Sequence, residues 1–580
     1  MSRALRGLWR QMSPRRRGQL FLILAITLLG ALAEVLTLGA LLPFLAYVAN
    51  PGAVSGDNLV ARAMAAIGLG TGNLLSLTLL FSAAALAAGA IRILLAWVTS
   101  HTVFMLGHEL SVRIFERTLY QPYSHHVAHN SSSVIAALQQ VQTITAGVLM
   151  PVLQSISAGV IGFFIVLALF LFSPAVALAL FVGFGVIYLG VSRFIRKRLS
   201  DNARLIVRAQ TEQIRSVQEG LGGIRDILID GTQPVFLARF RGLNADMQKA
   251  QAINSLAGLT PRFAIEAAGM VLIALLAYVM ITRTSDAGLV LPVLGTVVLG
   301  AQRLLPLMQQ IYGNWALVVS NLAVVDLVLG MLEAPFPEEW RKTPSAPLPF
   351  RHAIVFKKVS FRYAADEASV LDGFDLTIPK GAKIGLVGRT GSGKSTAVDL
   401  LMGLLEPTGG TIEIDGRPID AAARRAWQRQ IAHVPQSIFL ADASIAENIA
   451  FGVEPARIDR DRLRQAARQA AIGDFIESLP QGYGTLVGER GARLSGGQRQ
   501  RIGIARALYK QAQLLVFDEA TSALDSETEA AVMESVRALP ADLTVVIIAH
   551  RATTVEYCDQ IVTLEGERPV VRGGSVQSKV

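Results

Sequence analysis

The chain has 580 residues, of which 52% are hydrophobic and only 17% charged, whereas soluble proteins carry roughly a quarter charged residues. That deficit excludes an ordinary soluble enzyme, and a single cysteine, Cys558, excludes an internal disulfide framework or a cysteine metal cluster. The net charge of +10 does not point to nucleic acid, because arginine lies beside apolar runs, as at Arg15, Arg16 and Arg17 or at Arg193, Arg196, Lys197 and Arg198, a pattern of membrane orientation.

A bilayer core of about 30 Å needs roughly 20 helical residues. Six stretches of the first half meet that length, at about 19–48, 74–100, 149–172, 174–194, 263–282 and 288–310. The first is too long for the apolar core of a signal peptide and reads as a retained helix. Ser173-Pro174 joins the third and fourth in a tight hairpin, and Thr282 to Gly288 joins the fifth and sixth. The polar stretches 101–148 and 195–262 read as helices running well beyond the membrane. Basic residues gather at the N-terminus and over 193–225, which predicts that these regions, and the C-terminal domain with them, are cytoplasmic. Between spans one and two, residues 57–67 read either as a short helix on the outer leaflet or as a solvated connector.

The predicted transmembrane domain covers 1–332. Residues 333–349 carry Pro335, Pro337, Pro344, Pro347 and Pro349 and read as a linker. Alternating strands and helices follow over 350–573, with a tail at 574–580, so the fold class is an all-α membrane domain of six helices fused to an α/β domain. No internal repeat appears, so the chain holds one copy of each half.

The clearest chemistry lies in Gly388-Arg389-Thr390-Gly391-Ser392-Gly393-Lys394-Ser395, which follows the apolar strand Ile384 to Val387 and opens a helix at Thr396. Strand, glycine loop and helix in that order make a P-loop, where backbone N–H groups and a helix N-terminus face phosphate. Lys394 is then expected to reach the β- and γ-phosphates and Ser395 to supply an oxygen to Mg²⁺. A second apolar strand, Leu514 to Phe517, ends in Asp518-Glu519. Asp518 is placed to hold the metal through water, and Glu519 to activate the attacking water as general base.

Leu494-Ser495-Gly496-Gly497-Gln498, shortly before those acids, resembles the signature motif of ABC ATPases, which P-loop proteins in general lack. The resemblance extends in the family's order to Tyr363, matching the aromatic residue that stacks on adenine. Gln436 matches the Q-loop ligand of Mg²⁺, Ser522-Ala-Leu-Asp525 the D-loop, and His550 the switch histidine on the γ-phosphate. Val487-Gly-Glu489-Arg-Gly491 resembles the X-loop of exporters, and six spans ahead of one such domain is the exporter layout. In this family each ATP lies between the P-loop of one domain and the signature of another, which implies two chains, with a homodimer favoured over a heterodimer. Turns near Gln121-Pro-Tyr-Ser124 and Gly222-Gly-Ile-Arg225 match the positions of exporter coupling helices.

The cargo is read from charges inside the spans, which are costly and default to function. These are Glu34, Arg92, Arg262, Glu266 and Arg303. Matching depths predict a Glu266–Arg303 ion pair, and Arg92 and Arg262 lie where they can snorkel to the inner interface. The alternative is that the arginines line a cavity and bind an anionic headgroup such as a pyrophosphate. Glu34-Val-Leu-Thr-Leu-Gly39, Gln121-Pro-Tyr, Asn130 to Ser133, Pro261-Arg262 with Glu266, and Arg303 to Pro306 resemble bacterial lipid-linked oligosaccharide flippases of the cytoplasmic membrane. That resemblance implies ATP-driven movement of a polyprenyl-pyrophosphate glycan between leaflets. A multidrug or lipid A-like exporter is the second reading, and a non-transporting ATP-gated channel or regulator the third.

Overall fold

A computed structural model describes residues 2–49, 74–172, 174–283, 287–336 and 348–573, apart from 365, 367, 520–524, 550–555, 557 and 566–567. The chain divides into two compact units. Unit 1 takes in Met1–Gln121 and Ala128–Phe336, and unit 2 takes in Pro122–Val127 and Pro337–Val580.

Unit 1 is helical. Its elements are α1 (Ser2–Gln11), α2 (Pro14–Ala49), α3 (Leu74–Leu119), α5 (Ser131–Ile144), a π turn (Thr145–Leu149), α6 (Met150–Phe172), α7 (Pro174–Gly222), α8 (Ile224–Asp230), α9 (Gln233–Arg283) and α10 (Ala287–Glu333). Between α3 and α5 runs the short helix α4 (Tyr123–Ala128). Pro14 and Pro174 open α2 and α7, where the missing proline N–H costs nothing. Each predicted apolar stretch lies along one of these helices, and the polar stretches continue them, so helices of 46 to 51 residues result in α3, α7, α9 and α10. Among the described residues four helical segments are long and apolar enough to cross a membrane: Pro14–Thr37, Thr78–Leu119, Ser131–Ala168 and Gln302–Glu333. The outer stretch 57–67 lies outside the described residues.

In unit 1, α2 packs on α3 and α6, α7 on α9, and α10 on α6, α7 and α9. The amphipathic α1 buries Ala4 and Leu8, four residues apart on one face, in a cluster with Val325, Val328, Leu329 and Leu332 of α10. The expected turns are present: α3 stops one residue before Tyr120, and Gly223 separates α7 from α8.

Unit 2 contains two sheets. The first has the order β2 (Leu371–Pro379), β1 (Ala353–Phe361), β4 (Gly409–Ile414), β5 (Arg417–Pro418), all antiparallel. The second has the order β10 (Arg568–Gly573), β9 (Gln560–Glu565), β3 (Lys383–Gly388), β8 (Thr544–Ile548), β7 (Leu514–Asp518), β6 (Ile431–Val434). It is parallel except for the β9–β10 edge. β7 and β8 are buried from end to end apart from Asp518, as central parallel strands require. Around the sheets lie α11 (Lys394–Leu401), α12 (Ala421–Gln428), α13 (Ile445–Ile449), α14 (Arg460–Gln469), α15 (Gly473–Ser478), α16 (Gly496–Tyr509) and α17 (Ser526–Arg537). Trp427 of α12 is fully buried between the two sheets' common core residues and donates its indole N–H to the Leu401 carbonyl at 2.8 Å, tying α12 to the end of α11.

Candidate nucleotide site and membrane charge cluster

In a parallel sheet, ligands bind beyond the carboxyl ends of the strands. Three such ends carry the residues singled out above. β3 runs into the glycine loop, β7 ends at Asp518, and β6 leads to Gln436 two residues on.

The loop between β3 and α11 is shaped by its glycines. A Cβ on Gly388 would lie 2.5 Å from the Leu564 carbonyl oxygen and 2.7 Å from Ser392 Oγ, so no other residue fits there. Gly391 and Gly393 take φ of +85° and +88°, which L side chains rarely adopt. Arg389, Thr390, Gly391 and Ser395 line the exposed side of the loop, while Lys394 and Thr396 are buried. The Lys394 ammonium donates to the carbonyls of Gly388 at 2.7 Å and Arg389 at 2.9 Å, curling over the loop it serves. Ser392 Oγ is buried with no protein partner. An unsatisfied buried hydroxyl, an ammonium and the start of α11 around one glycine cradle fit a polyphosphate.

Glu519 follows β7 with φ of +50°, a strained conformation of the kind found at working sites. Its Oε2 accepts a hydrogen bond from Gln436 Nε2 at 2.6 Å, so the structure brings these two residues together. Tyr363 is exposed, stands edge-on to Phe361 with centroids 5.0 Å apart, and shares a hydrogen bond with Thr396 Oγ1 at 3.2 Å. That places an open aromatic face beside the first turn of α11. Sequence reasoning missed Asp399, one turn further along α11. Burial and then the nearby Asp518 push its carboxyl up to about 6. Tyr123 of α4 belongs to the same unit, and its hydroxyl is pushed above the usual range by burial, then by Asp399 and Tyr363. A polar residue at helical spacing after a P-loop carries no sequence mark of its own burial, so Asp399 was not visible beforehand, whereas Tyr123 lies in the turn already noted at Gln121-Pro-Tyr-Ser124.

Ser495 caps α16 through a reciprocal capping box with Gln498: Gln498 N–H donates to Ser495 Oγ at 3.2 Å, and Ser495 N–H to Gln498 Oε1 at 2.8 Å. The first-turn N–H groups of Gly496 and Gly497 are thus presented at an exposed, positively polarised helix end. Among the described residues no hydrogen bond or ion pair links Ser495, Gly496, Gly497 or Gln498 to the P-loop. Asp525 caps α17 by accepting the Thr528 N–H at 3.0 Å, and that bond first of all holds its carboxyl below the usual range. His550 and Ser522 to Leu524 lie outside the described residues.

In unit 1 the intramembrane charges are arranged differently from the expectation. Glu34 on α2 is buried, with 3% of its side chain exposed, and both Arg92 of α3 and Arg303 of α10 pair with it. Arg303 Nη1 lies 2.7 Å from Glu34 Oε1, and Arg92 Nη2 donates to Oε2. The expected Glu266–Arg303 pair is therefore replaced by Glu34–Arg303, and Arg92 pairs within the bundle instead of snorkelling. Equal depth along two helices says nothing about azimuth: Glu266 and Arg262 fall on an exposed side of α9, whereas Glu34 faces its neighbours.

Comparison with known proteins agrees with this architecture. The family described as ABC transporter matches residues 371–522, and that described as ABC transporter transmembrane region matches residues 20–300. An "ATP-dependent lipid A-core flippase" of Ralstonia nicotianae is 33% identical over 475 residues, covering 80% of this chain and 78% of the relative. A protein of the same description from Alkalilimnicola ehrlichii is 32% identical, over 82% of this chain and 80% of the relative. A solved "Structure of a bacterial Atm1-family ABC exporter with ATP bound" superposes with a TM-score of 0.79 at 25% identity, covering 95% of this chain and 94% of that one. The chain belongs to the ABC transporter family, as an exporter-type half-transporter with a membrane region and an ATPase domain fused in one polypeptide.

Proposed function

We propose that this half-transporter works as a pair of identical chains in the bacterial cytoplasmic membrane, moving a lipid with a phosphorylated headgroup from the inner to the outer leaflet. Hydrolysis of ATP drives the family's transport. The observation that carries the reading for this chain is the Gln436–Glu519 hydrogen bond at the P-loop end of a sheet whose partner unit is membrane helix.

Lys394, Ser395 and the loop N–H groups from Gly388 to Gly393 are the residues to hold the triphosphate, with Thr396 and Tyr363 beside it. Mg²⁺, when bound, neutralises phosphate charge, and Ser395, Gln436 and Asp518 form an all-oxygen set suited to hold it. Glu519 takes the proton of the attacking water, its carboxylate oriented by Gln436. The signature residues Ser495, Gly496, Gly497 and Gln498, unlinked to their own P-loop, close the γ-phosphate side of the partner chain's site, with Asp525 at the same junction. His550 completes that site as the contact to the γ-phosphate. Arginines at the helix starts and in 193–198 support a cytoplasmic N-terminus and ATPase unit.

Of the two cargo readings drawn from the sequence, the names of the relatives support the lipid A-like one over the lipid-linked oligosaccharide. Both cargoes are amphiphiles with phosphate near the membrane surface, which suits half-exposed arginines among apolar helices. ATP hydrolysis by the purified chain in nanodiscs tests the choice. Lipid A is expected to stimulate it severalfold and dephosphorylated lipid A to leave it at the basal rate. Stimulation by a polyprenyl-pyrophosphate glycan alone would return the reading to the oligosaccharide, and stimulation only by phosphate-free amphiphiles would sink both.

A further inference from the structure

Glu34, Arg92 and Arg303 come from three helices and share one carboxylate. Glu34 is 3% exposed, while the arginine side chains keep 50% and 40% of their surface. Each guanidinium spends only part of its five-donor fork on Glu34, since Oε1 goes to Arg303 and Oε2 to Arg92. Two positive charges against one negative leave the cluster with a surplus of one.

That surplus is larger than a structural tie needs. A single arginine would neutralise Glu34, and a second charge within an apolar bundle is costly to keep. Conversely, two arginines without Glu34 would attract every anion the bilayer offers. Phosphodiester phospholipids, with a single negative charge, surround the site at enormous excess over any cargo.

Resting on the phosphorylated-lipid reading, we propose that Glu34 sets the threshold at which a headgroup is held: by cancelling one of the two arginine charges, it leaves too little attraction to hold monoanionic phosphodiesters and enough to hold phosphomonoester or pyrophosphate headgroups. The attraction scales with the product of charges. With Glu34 in place a monoanion meets one net positive charge, too little to offset its own desolvation, whereas a phosphomonoester carrying about two negative charges at neutral pH gains about twice as much. Without Glu34 the monoanion would gain what the dianion gains now. Specificity here comes from a built-in repulsion rather than an added contact.

The full-length chain in phosphatidylcholine nanodiscs tests this with phosphatidic acid, a phosphomonoester, and phosphatidylglycerol, a phosphodiester, bearing identical acyl chains, with bound lipid read by native mass spectrometry. The wild type is expected to prefer phosphatidic acid roughly tenfold or more, a difference that corresponds to about 1.4 kcal/mol. Glu34→Gln is expected to raise phosphatidylglycerol affinity roughly tenfold or more, to about what the wild type shows for phosphatidic acid. The double variant Glu34→Gln with Arg92→Gln restores a net charge of one and is expected to return phosphatidylglycerol affinity to within about threefold of the wild type. Unchanged phosphatidylglycerol affinity in Glu34→Gln, or equal loss of both lipids in the single and double variants, overturns the proposal and leaves Glu34 as a tie between helices. Because the probes are not the cargo, retained discrimination without any lipid A stimulation would instead overturn the cargo reading alone.

Discussion

Glu519→Gln is expected to lower ATP hydrolysis roughly 10²–10⁴-fold, the range for loss of a general base, while ATP binding holds within about threefold. The substitution keeps the shape and the hydrogen bond from Gln436, now 2.6 Å from Oε2, but removes the carboxylate proposed to accept the water's proton. Nothing in the cradle changes, because Lys394, Ser392 and the three glycines sit on the β3–α11 side. Single-turnover hydrolysis and nucleotide binding measured on one preparation separate the two effects. Loss of both together would mean that Glu519 holds nucleotide or fold rather than the reacting water.

The second large effect concerns whether each site is shared between two chains. A chain with Lys394→Ala lacks a working P-loop but keeps its α16 cap, and a chain with Gly496→Asp places a carboxylate where an anion should approach but keeps its P-loop. Built on a Glu519→Gln background, each variant alone is expected to occlude no ATP. Co-purified mixed pairs are expected to occlude one ATP per two chains, since one P-loop and one signature then meet intact across the interface. If each site were complete within its chain, the mixed pairs would occlude none.

What could be read in advance divides along physical lines. The P-loop was legible because strand, loop and helix are contiguous, and its glycines announce backbone shapes that other residues cannot take. The long helices were legible from apolar runs and their polar continuations, with breaks near Gln121 and Gly223 where the pattern halts. The π turn at Thr145–Leu149 left no trace, since its residues suit an α-helix equally well. Asp399 was invisible for a different reason: its raised pKa comes from burial and from Asp518, which the sheet brings near. The charge cluster shows the same limit. All of its residues were named, yet Arg303 was assigned to Glu266, because depth along a helix is sequential information and direction around it is set by packing.

The most direct test of the whole account is movement of lipid A across a bilayer. Proteoliposomes holding the wild-type chain, with lipid A initially confined to the leaflet facing the ATPase unit, are supplied with ATP and Mg²⁺, and the fraction reaching the opposite leaflet is followed with an impermeant phosphatase. ATP-dependent transfer that falls to the no-ATP rate in the Glu519→Gln chain is the predicted result. Transfer at the same rate with and without ATP, or undiminished in Glu519→Gln, would contradict an ATP-driven flippase.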